Sequence, residues 1–396
     1  MQSYSMKFKI VFLLYLLVFI GLFFYSFTQI DLGLVISRYP FFYHIEKSFQ
    51  QIGYFNRPLS TGLYLVILFT FTTLYIISLK LAAKKKLDKK FVWKIILIGT
   101  VLLTFSYSAF SYDIFNYLFD AKMVTHYHVN PYVHKALDFS QDPMLAFMHW
   151  TQRVYPYGPI WLVLTVPLSF IGLQIFLPTF FLFKMLAAAS FIGSLYYIEK
   201  IFQKIKPERE VFGLVFFGLN PLVIIESLVS AHIDIVMMFF SVMAFYFLIE
   251  KKYVKSYASL ALSIGIKFLT GVLLPFFIWI HLLHYKKKKV NFEKIIGLSL
   301  LLLLVGIFVE TQQSGNFQSW YLLGILSFAV FLSHKYYILI PAVIISFFSL
   351  LLYVPFFYTG NWNPPIPQIL LSIMLVSYAL SFIVVSGYFL YQRRSK

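Results

Sequence analysis

Apolar runs separated by short basic clusters dominate this chain. They cover about 8–27, 61–81, 91–110, 173–198, 211–226 and 234–249, two short pieces within 256–284, then 293–309, 321–333, 336–354 and 366–391. A helix needs about 20 apolar residues to span a bilayer, whereas a membrane barrel reads as short alternating segments. The pattern predicts an all-α fold: one polytopic transmembrane helical bundle over residues 1–396, with about 12 crossings and about 11–13 helices. Residues 158–171 are apolar but short, and counting them as a crossing inverts the parity that later basic loops demand. They are read as a re-entrant or broken half, which a membrane tolerates where protein shields the backbone.

Polar positions gather in few places. Residues 28–60 carry Arg38, His44, Glu46 and Arg57, and 111–157 form the longest polar stretch. Long connections without obvious structure usually carry function. This second stretch holds Tyr112–Asp113–Ile114–Phe115–Asn116–Tyr117, then Asp120, Lys122 and Asn130–Pro131–Tyr132. Ionisable groups kept at a membrane edge serve binding, pathways or catalysis. Partial loss of water makes a carboxylate a better proton acceptor, which suits Asp113 to general-base work. The plain alternative for Asp113 is helix capping. On a helix Asp120 shares a face with Asp113, and Lys122 does not.

Composition narrows the class further. With 60% hydrophobic, 21% aromatic and 12% charged residues, the chain is no ordinary soluble domain. The net charge of +18 invites a nucleic-acid partner, but most of the 33 Lys and Arg lie near the termini or in short clusters between apolar runs. Lys84–Lys86, Lys200, Lys204, Lys251, Lys252, Lys286–Lys289, Arg393, Arg394 and Lys396 are examples. That is the positive-inside pattern, with these loops and both termini cytoplasmic and anionic lipid headgroups as neighbours. Nucleic acid is excluded as a partner. The same topology puts every cluster of polar aromatics and carboxylates outside. Without cysteine there is no disulfide or thiol chemistry. Lys7 and Lys9 precede an apolar run too long for a signal core, and Phe27–Thr28–Gln29 offers no cleavage site, so a retained first helix is expected.

Four more segments carry candidate chemistry. Tyr155–Pro156–Tyr157–Gly158–Pro159 reads as a helix entry, with Pro159 suited to the first turn. Asn220–Pro221–Leu222 predicts a kink, and Glu226, His232 and Asp234 follow it with spacing that matches no standard metal set. Lys267 is read as a lone, unpaired cation in an apolar helix, costly unless an anionic ligand such as a lipid phosphate meets it. Trp320–Tyr321 supplies an aromatic platform at an interface.

In this order the segments resemble the GT-C superfamily of membrane glycosyltransferases, and within it the bacterial polyprenyl-phosphomannose-dependent mannosyltransferases. Asp113–Ile114–Phe115–Asn116–Tyr117 with Lys122 looks like that family's Asp-x-Tyr-x-Tyr and Gly-Arg segment. Asn130–Pro131–Tyr132, Tyr157–Gly158–Pro159, Asn220–Pro221–Leu222 with His232 and Asp234, Lys267 with Pro275, and Trp320–Tyr321 look like its later motifs. The likeness covers roughly residues 90–335. Ala121 stands for the usual Gly, Lys122 for Arg, and Ala231 for the Gly before His232.

The resemblance implies an inverting transfer of a hexose, mannose by the likeness, from a polyprenyl-phosphate donor to an extracytoplasmic glycan or glycolipid acceptor in the cell envelope. Asp113 is then the catalytic base. Tyr112, Asp120, Lys122, Asn130, Tyr132, Tyr157, His232, Asp234, Lys267, Trp320 and Tyr321 become substrate-binding residues, with Lys267 and Lys122 as cations for the phosphate. No cofactor is indicated, divalent cation included, and no nucleotide-sugar fingerprint is present. A lipid or glycolipid flippase uses similar basic loops but places its polar residues at the midplane. A non-catalytic assembly subunit depends on no single polar residue.

Overall fold

The computed structural model describes residues 6–394, and among them every extended element is helical. The elements are α1 (Met6–Phe27), α2 (Pro40–Gln50), α3 (Arg57–Ala83), α4 (Lys89–Thr104), α5 (Asp113–Thr125), α6 (Pro159–Ile171), α7 (Phe176–Ile205), α8 (Glu210–Gly218) and α9 (Pro221–Ile224). Then come α10 (Ile233–Ile249), α11 (Tyr253–Ile266), α12 (Leu274–Tyr285), α13 (Phe292–Ser314), α14 (Leu322–Ala329), α15 (Tyr336–Leu351), α16 (Val354–Thr359) and α17 (Ile366–Arg394). Lys396, part of the basic C-terminal cluster, lies outside the described residues.

Among the described residues seven stretches are long and apolar enough to cross a membrane: α1, α3, α7, the 3-10 turn with α12, α13, α15 with α16, and α17. The segment of α8 and α9 adds an eighth if its 58° bend is counted within one span. This is a polytopic helical membrane protein. The apolar pattern predicted about 12 crossings because it also counted α4, α10, α11 and α14, which are 16, 17, 14 and 8 residues long. The helix α6 has 13 residues, hence about 20 Å of length, short of the roughly 30 Å of a hydrocarbon core.

The bend at α8–α9 follows directly from sequence. Pro221 has no N–H to continue the helix, and Asn220 caps the new one by accepting from the Leu222 N–H at 2.9 Å. The Asn220 amide also reaches the Tyr75 hydroxyl and Ser346 Oγ, tying the break to α3 and α15. Residues Ile225–Val229 then form a π-helical turn, a form common at functional sites.

Charge sorts to the two ends of the bundle. At one end Lys89 pairs with Glu199 and Glu210, Lys204 with Glu250, and Lys206 and Lys335 with Glu293. These pairs lace together the short loops that carry the lysine clusters. Four glutamates thus sit among the lysines, against the expectation that all carboxylate clusters face the other way. The reason is local neutralisation: each glutamate lies within bonding reach of a lysine from a neighbouring hairpin. The opposite end holds the site described next.

Candidate active site

The stretch 111–157, expected as a long polar connection without obvious structure, begins with α5, whose residues are nearly all buried. Aromatic and apolar residues on every side hid its helical period, as they do in any helix packed all round. It packs on α6 and α7. Asp113 is its first residue and does not cap it; Tyr112 holds that position without a side-chain bond, and the Asp113 N–H donates to Ser111 Oγ at 3.1 Å. The carboxylate is left for other contacts while its helix begins beneath it, where the backbone dipole favours negative charge.

Those contacts come from the bent segment. His232 Nδ1 lies 3.7 Å from Asp113 Oδ2, and its Nε2 lies 3.4 Å from Glu226 Oε2. The imidazole stacks on Trp320, with ring centres 3.9 Å apart and planes 20° from parallel. Tyr353 donates to the other Glu226 oxygen at 2.7 Å. Glu226 and His232 have no solvent exposure. Among the described residues no three His, Asp or Glu side chains are grouped to hold a metal ion; the histidine stands between its two carboxylates.

Lys267 is paired, which corrects its reading as an isolated cation. Its ammonium is 2.9 Å from Asp234 Oδ1 and 2.5 Å from Glu310 Oε1, and 4.8 Å from the centre of the Tyr321 ring. The chain backbone brings it there. Gly158 N–H donates to the Ile266 carbonyl at 3.0 Å, and any Cβ at Gly158 would overlap the Gly265 carbonyl. Only glycine allows that approach. It docks the start of α6 and Tyr157 beside the lysine loop.

Other motif residues brace this arrangement. The Pro131 carbonyl accepts from Tyr155 N–H, and the Tyr132 hydroxyl donates to the Tyr157 carbonyl at 2.9 Å. Asn130 accepts from Tyr132 N–H and is itself exposed. Tyr157 meets Tyr117 edge to face, 5.4 Å between centres. Asp120 is buried and carries no hydrogen bond; burial pushes its carboxyl up to about 8, with the Arg153 charge pulling the other way.

Two expected ligand residues face elsewhere. Lys122 is nine positions after Asp113, half a turn out of phase, and bonds to Asp142. Burial alone would raise the Asp142 carboxyl, but bonds from Lys122, Tyr127 and the Met144 N–H outweigh it and hold it below its usual range. Lys122 lines a separate cavity of about 530 Å³ together with Arg38 and Gln174. Tyr112 turns toward the 28–60 segment, donating to Asp31 Oδ2 at 3.1 Å, with its ring tilted 34° against that of His149.

Three residues escaped notice in the sequence as parts of this site: Glu310, Tyr353 and Lys184. The ammonium of Lys184, fully buried, donates to Ser106 Oγ and to the Leu228 and Val229 carbonyls that the π-helical turn frees. A lone charge inside an apolar run was the available signal for Lys184 and Glu310.

No curated protein and no solved structure matches this chain. A family profile does. Residues 19–283, well over half of the chain, match the MptA_B family, described as alpha-(1->6)-mannopyranosyltransferase, N-terminal domain. The chain is therefore a mannosyltransferase that belongs to the alpha-(1->6)-mannopyranosyltransferase family.

Proposed function

We propose that this mannosyltransferase is of the GT-C type and takes mannose from a polyprenyl-phosphate donor, passing it to a glycan or glycolipid acceptor outside the cytoplasm. The observation that carries this reading is the convergence of Asp113, His232, Asp234, Lys267, Trp320 and Tyr321 at the bundle end opposite the lysine loops. Basic loops stay cytoplasmic, which puts this cluster on the extracytoplasmic face, where a lipid-linked donor is presented.

In the reaction Asp113 takes the proton of an acceptor hydroxyl. The acceptor oxygen bonds to the anomeric carbon as the bond from that carbon to the phosphate oxygen breaks. The electron pair leaves with the lipid phosphate, and the anomeric centre inverts. Polyprenyl phosphate is a competent leaving group, so alignment, a base and a nearby cation suffice. Lys267 is that cation. Its charge is already matched by two carboxylates, so phosphate must displace one, and Glu310 is the more exposed of the pair at 22% against 1% for Asp234. Trp320 and Tyr157, both half-buried, offer faces for the sugar rings.

The test is transfer in nanodiscs holding purified protein, with radiolabelled polyprenyl-phosphate mannose or glucose and pooled cell-envelope acceptors. Wild type should transfer mannose, and Asp113→Asn should lose at least about a hundredfold, the scale of a lost general base. Equal rates for the two proteins would remove Asp113 from the role; no transfer by either from intact donor would remove the donor assignment.

A further inference from the structure

We propose that a cavity among three basic loops, at the end of the bundle away from Asp113, binds the phosphate headgroup of an anionic lipid from the leaflet on that side. The site stands apart from the reaction assigned above and does not depend on it.

The cavity holds about 470 Å³, and around it four candidate spans end or begin. Ile205 closes α7, the loop 286–291 joins α12 to α13, and α15 starts just after Lys335. Span ends lie where hydrocarbon gives way to headgroups, which is the depth of lipid phosphates. Lys206, Lys289 and Glu293 line the cavity, and Ile205, Ile296 and Phe331 give it an apolar wall.

Positive charge is in excess there. The segments that meet, 206–209, 286–294 and 334–335, carry eight Lys and Arg against two Glu. Glu293 alone serves Lys206 at 2.8 Å, Lys335 at 3.2 Å and the His334 ring at 3.2 Å. Both of its oxygens are thereby engaged. Lys289 lines the same cavity with no ion pair or hydrogen bond among the described residues. The balance is different at the neighbouring loops, where Lys89 faces Glu199 and Glu210 together. Cations gathered about one carboxylate repel each other. A phosphate relieves this, since its oxygens accept from several lysines at once.

A lipid fits the cavity better than a free anion, because a free anion uses the cations and leaves the apolar wall wet. On a lipid, the phosphate accepts from Lys289 and from the Lys206 N–H groups that Glu293 leaves over. The glycerol and first methylenes then lie on the wall. Leu282 and Tyr285, both exposed on the last turns of α12, continue the apolar surface just before Lys286.

The experiment is native mass spectrometry of the full chain released from micelles, titrated with dioleoyl phosphatidylglycerol. Wild type should keep one phosphatidylglycerol, and diacylglycerol with the same chains should not stay bound. Lys289→Gln breaks no pair, so its fold is not at risk, and it should weaken binding about fivefold. Lys289→Gln with Lys335→Gln should weaken it at least about tenfold. Lys84→Gln with Lys86→Gln removes the same charge from a basic loop outside the cavity and should bind like wild type. Equal losses in the two double variants mean that lipid is drawn to basic loops in general, which overturns the proposal. An unchanged Kd in Lys289→Gln overturns it as well. Release of the lipid by millimolar inorganic phosphate assigns the cations to a free anion and sinks the lipid reading. Asp113→Asn should bind phosphatidylglycerol as wild type does, so failure of the transfer reading leaves this result standing.

Discussion

Replacing Lys267 by methionine keeps the length of the side chain and deletes its charge. Asp234 Oδ1 then faces no cation, its Oδ2 already has no partner, and its side chain is 1% exposed. Glu310, which reaches the same ammonium from α13, becomes a second carboxylate with nothing between the two. At an effective dielectric of about 20, each contact of this length is worth roughly 6 kcal/mol before desolvation. The stranded carboxylates have an escape, however: one of them can take up a proton. Protonating at pH 7 a carboxyl that ordinarily titrates near 4 costs about 4 kcal/mol, since each pH unit is worth about 1.4 kcal/mol. That cost is the ceiling. Lys267→Met should therefore lose about 3–4 kcal/mol at pH 7, the range found when one partner of a buried pair is removed, and about 1–2 kcal/mol at pH 5.

The assay is reversible unfolding in mixed micelles, followed by tryptophan fluorescence, for wild type, Lys267→Met, Glu310→Gln and the double variant at both pH values. Removing Glu310 as well relieves the repulsion, so the double variant should be more stable than Lys267→Met alone, with a coupling of about 1–3 kcal/mol. A Lys267→Met protein within about 0.5 kcal/mol of wild type at pH 7 would refute the reasoning. So would a penalty of equal size at pH 5 and pH 7. The same set bears on function: freeing the ammonium from its more exposed partner should lower KM for the donor in Glu310→Gln, whereas Lys267→Met should raise it.

Asp120 gives an expectation for stability against pH. Its folded-state value near 8 lies above the ordinary 3.8, so the folded protein holds a proton there that the unfolded chain has released. The contribution is complete below about pH 4 and is lost as pH rises through about 8, by up to about 1.4 kcal/mol per unit. Asp120→Asn should remove this slope, so its unfolding temperature should gain on wild type steadily from pH 5 to pH 8.5; parallel curves would count against it. Ala231, before His232, has φ of 54°, a left-handed conformation that costs a non-glycine residue roughly 1–2 kcal/mol. A branched side chain fits it worse still, so Ala231→Val should unfold at least about 2 kcal/mol more easily and lose transfer, with Ala231→Gly close to wild type; a stable, active valine variant would sink this account.

The Ala231 strain also shows what a sequence can and cannot disclose. The departure from the family's glycine was visible in the chain itself; that the position needs a positive φ became visible only with the turn between the π-helical segment and α10. The apolar runs announced most spans within a few residues of their observed ends, because a bilayer imposes length and polarity on each run separately. The broken helix at Asn220–Pro221 was legible for the same local reason. Asp113, His232, Asp234, Lys267, Trp320 and Tyr321 were legible as polar or aromatic exceptions at run ends.

Their partners were not legible, and the physical cause is the same in each case. Lys184, Glu226, Lys267 and Glu310 each carry a charge within or beside an apolar run, and a membrane protein keeps such a charge only if something offsets it. Sequence identifies the residue that needs an offset. It does not identify the partner, since Glu226 finds Tyr353, Lys267 finds Glu310, and Asp113 finds His232 through helix packing across many tens of positions. Lys122 shows how a correct local inference can stop short: its helical phase already separated it from Asp113, and Asp142, twenty residues on, is the partner that phase left open. The lesson for this chain is specific. Counting unpaired charges in apolar runs would have flagged Lys184 and Glu310 alongside Lys267, and a positive charge left over in such a run is the signal for a lysine that bridges two acids, as Lys267 does.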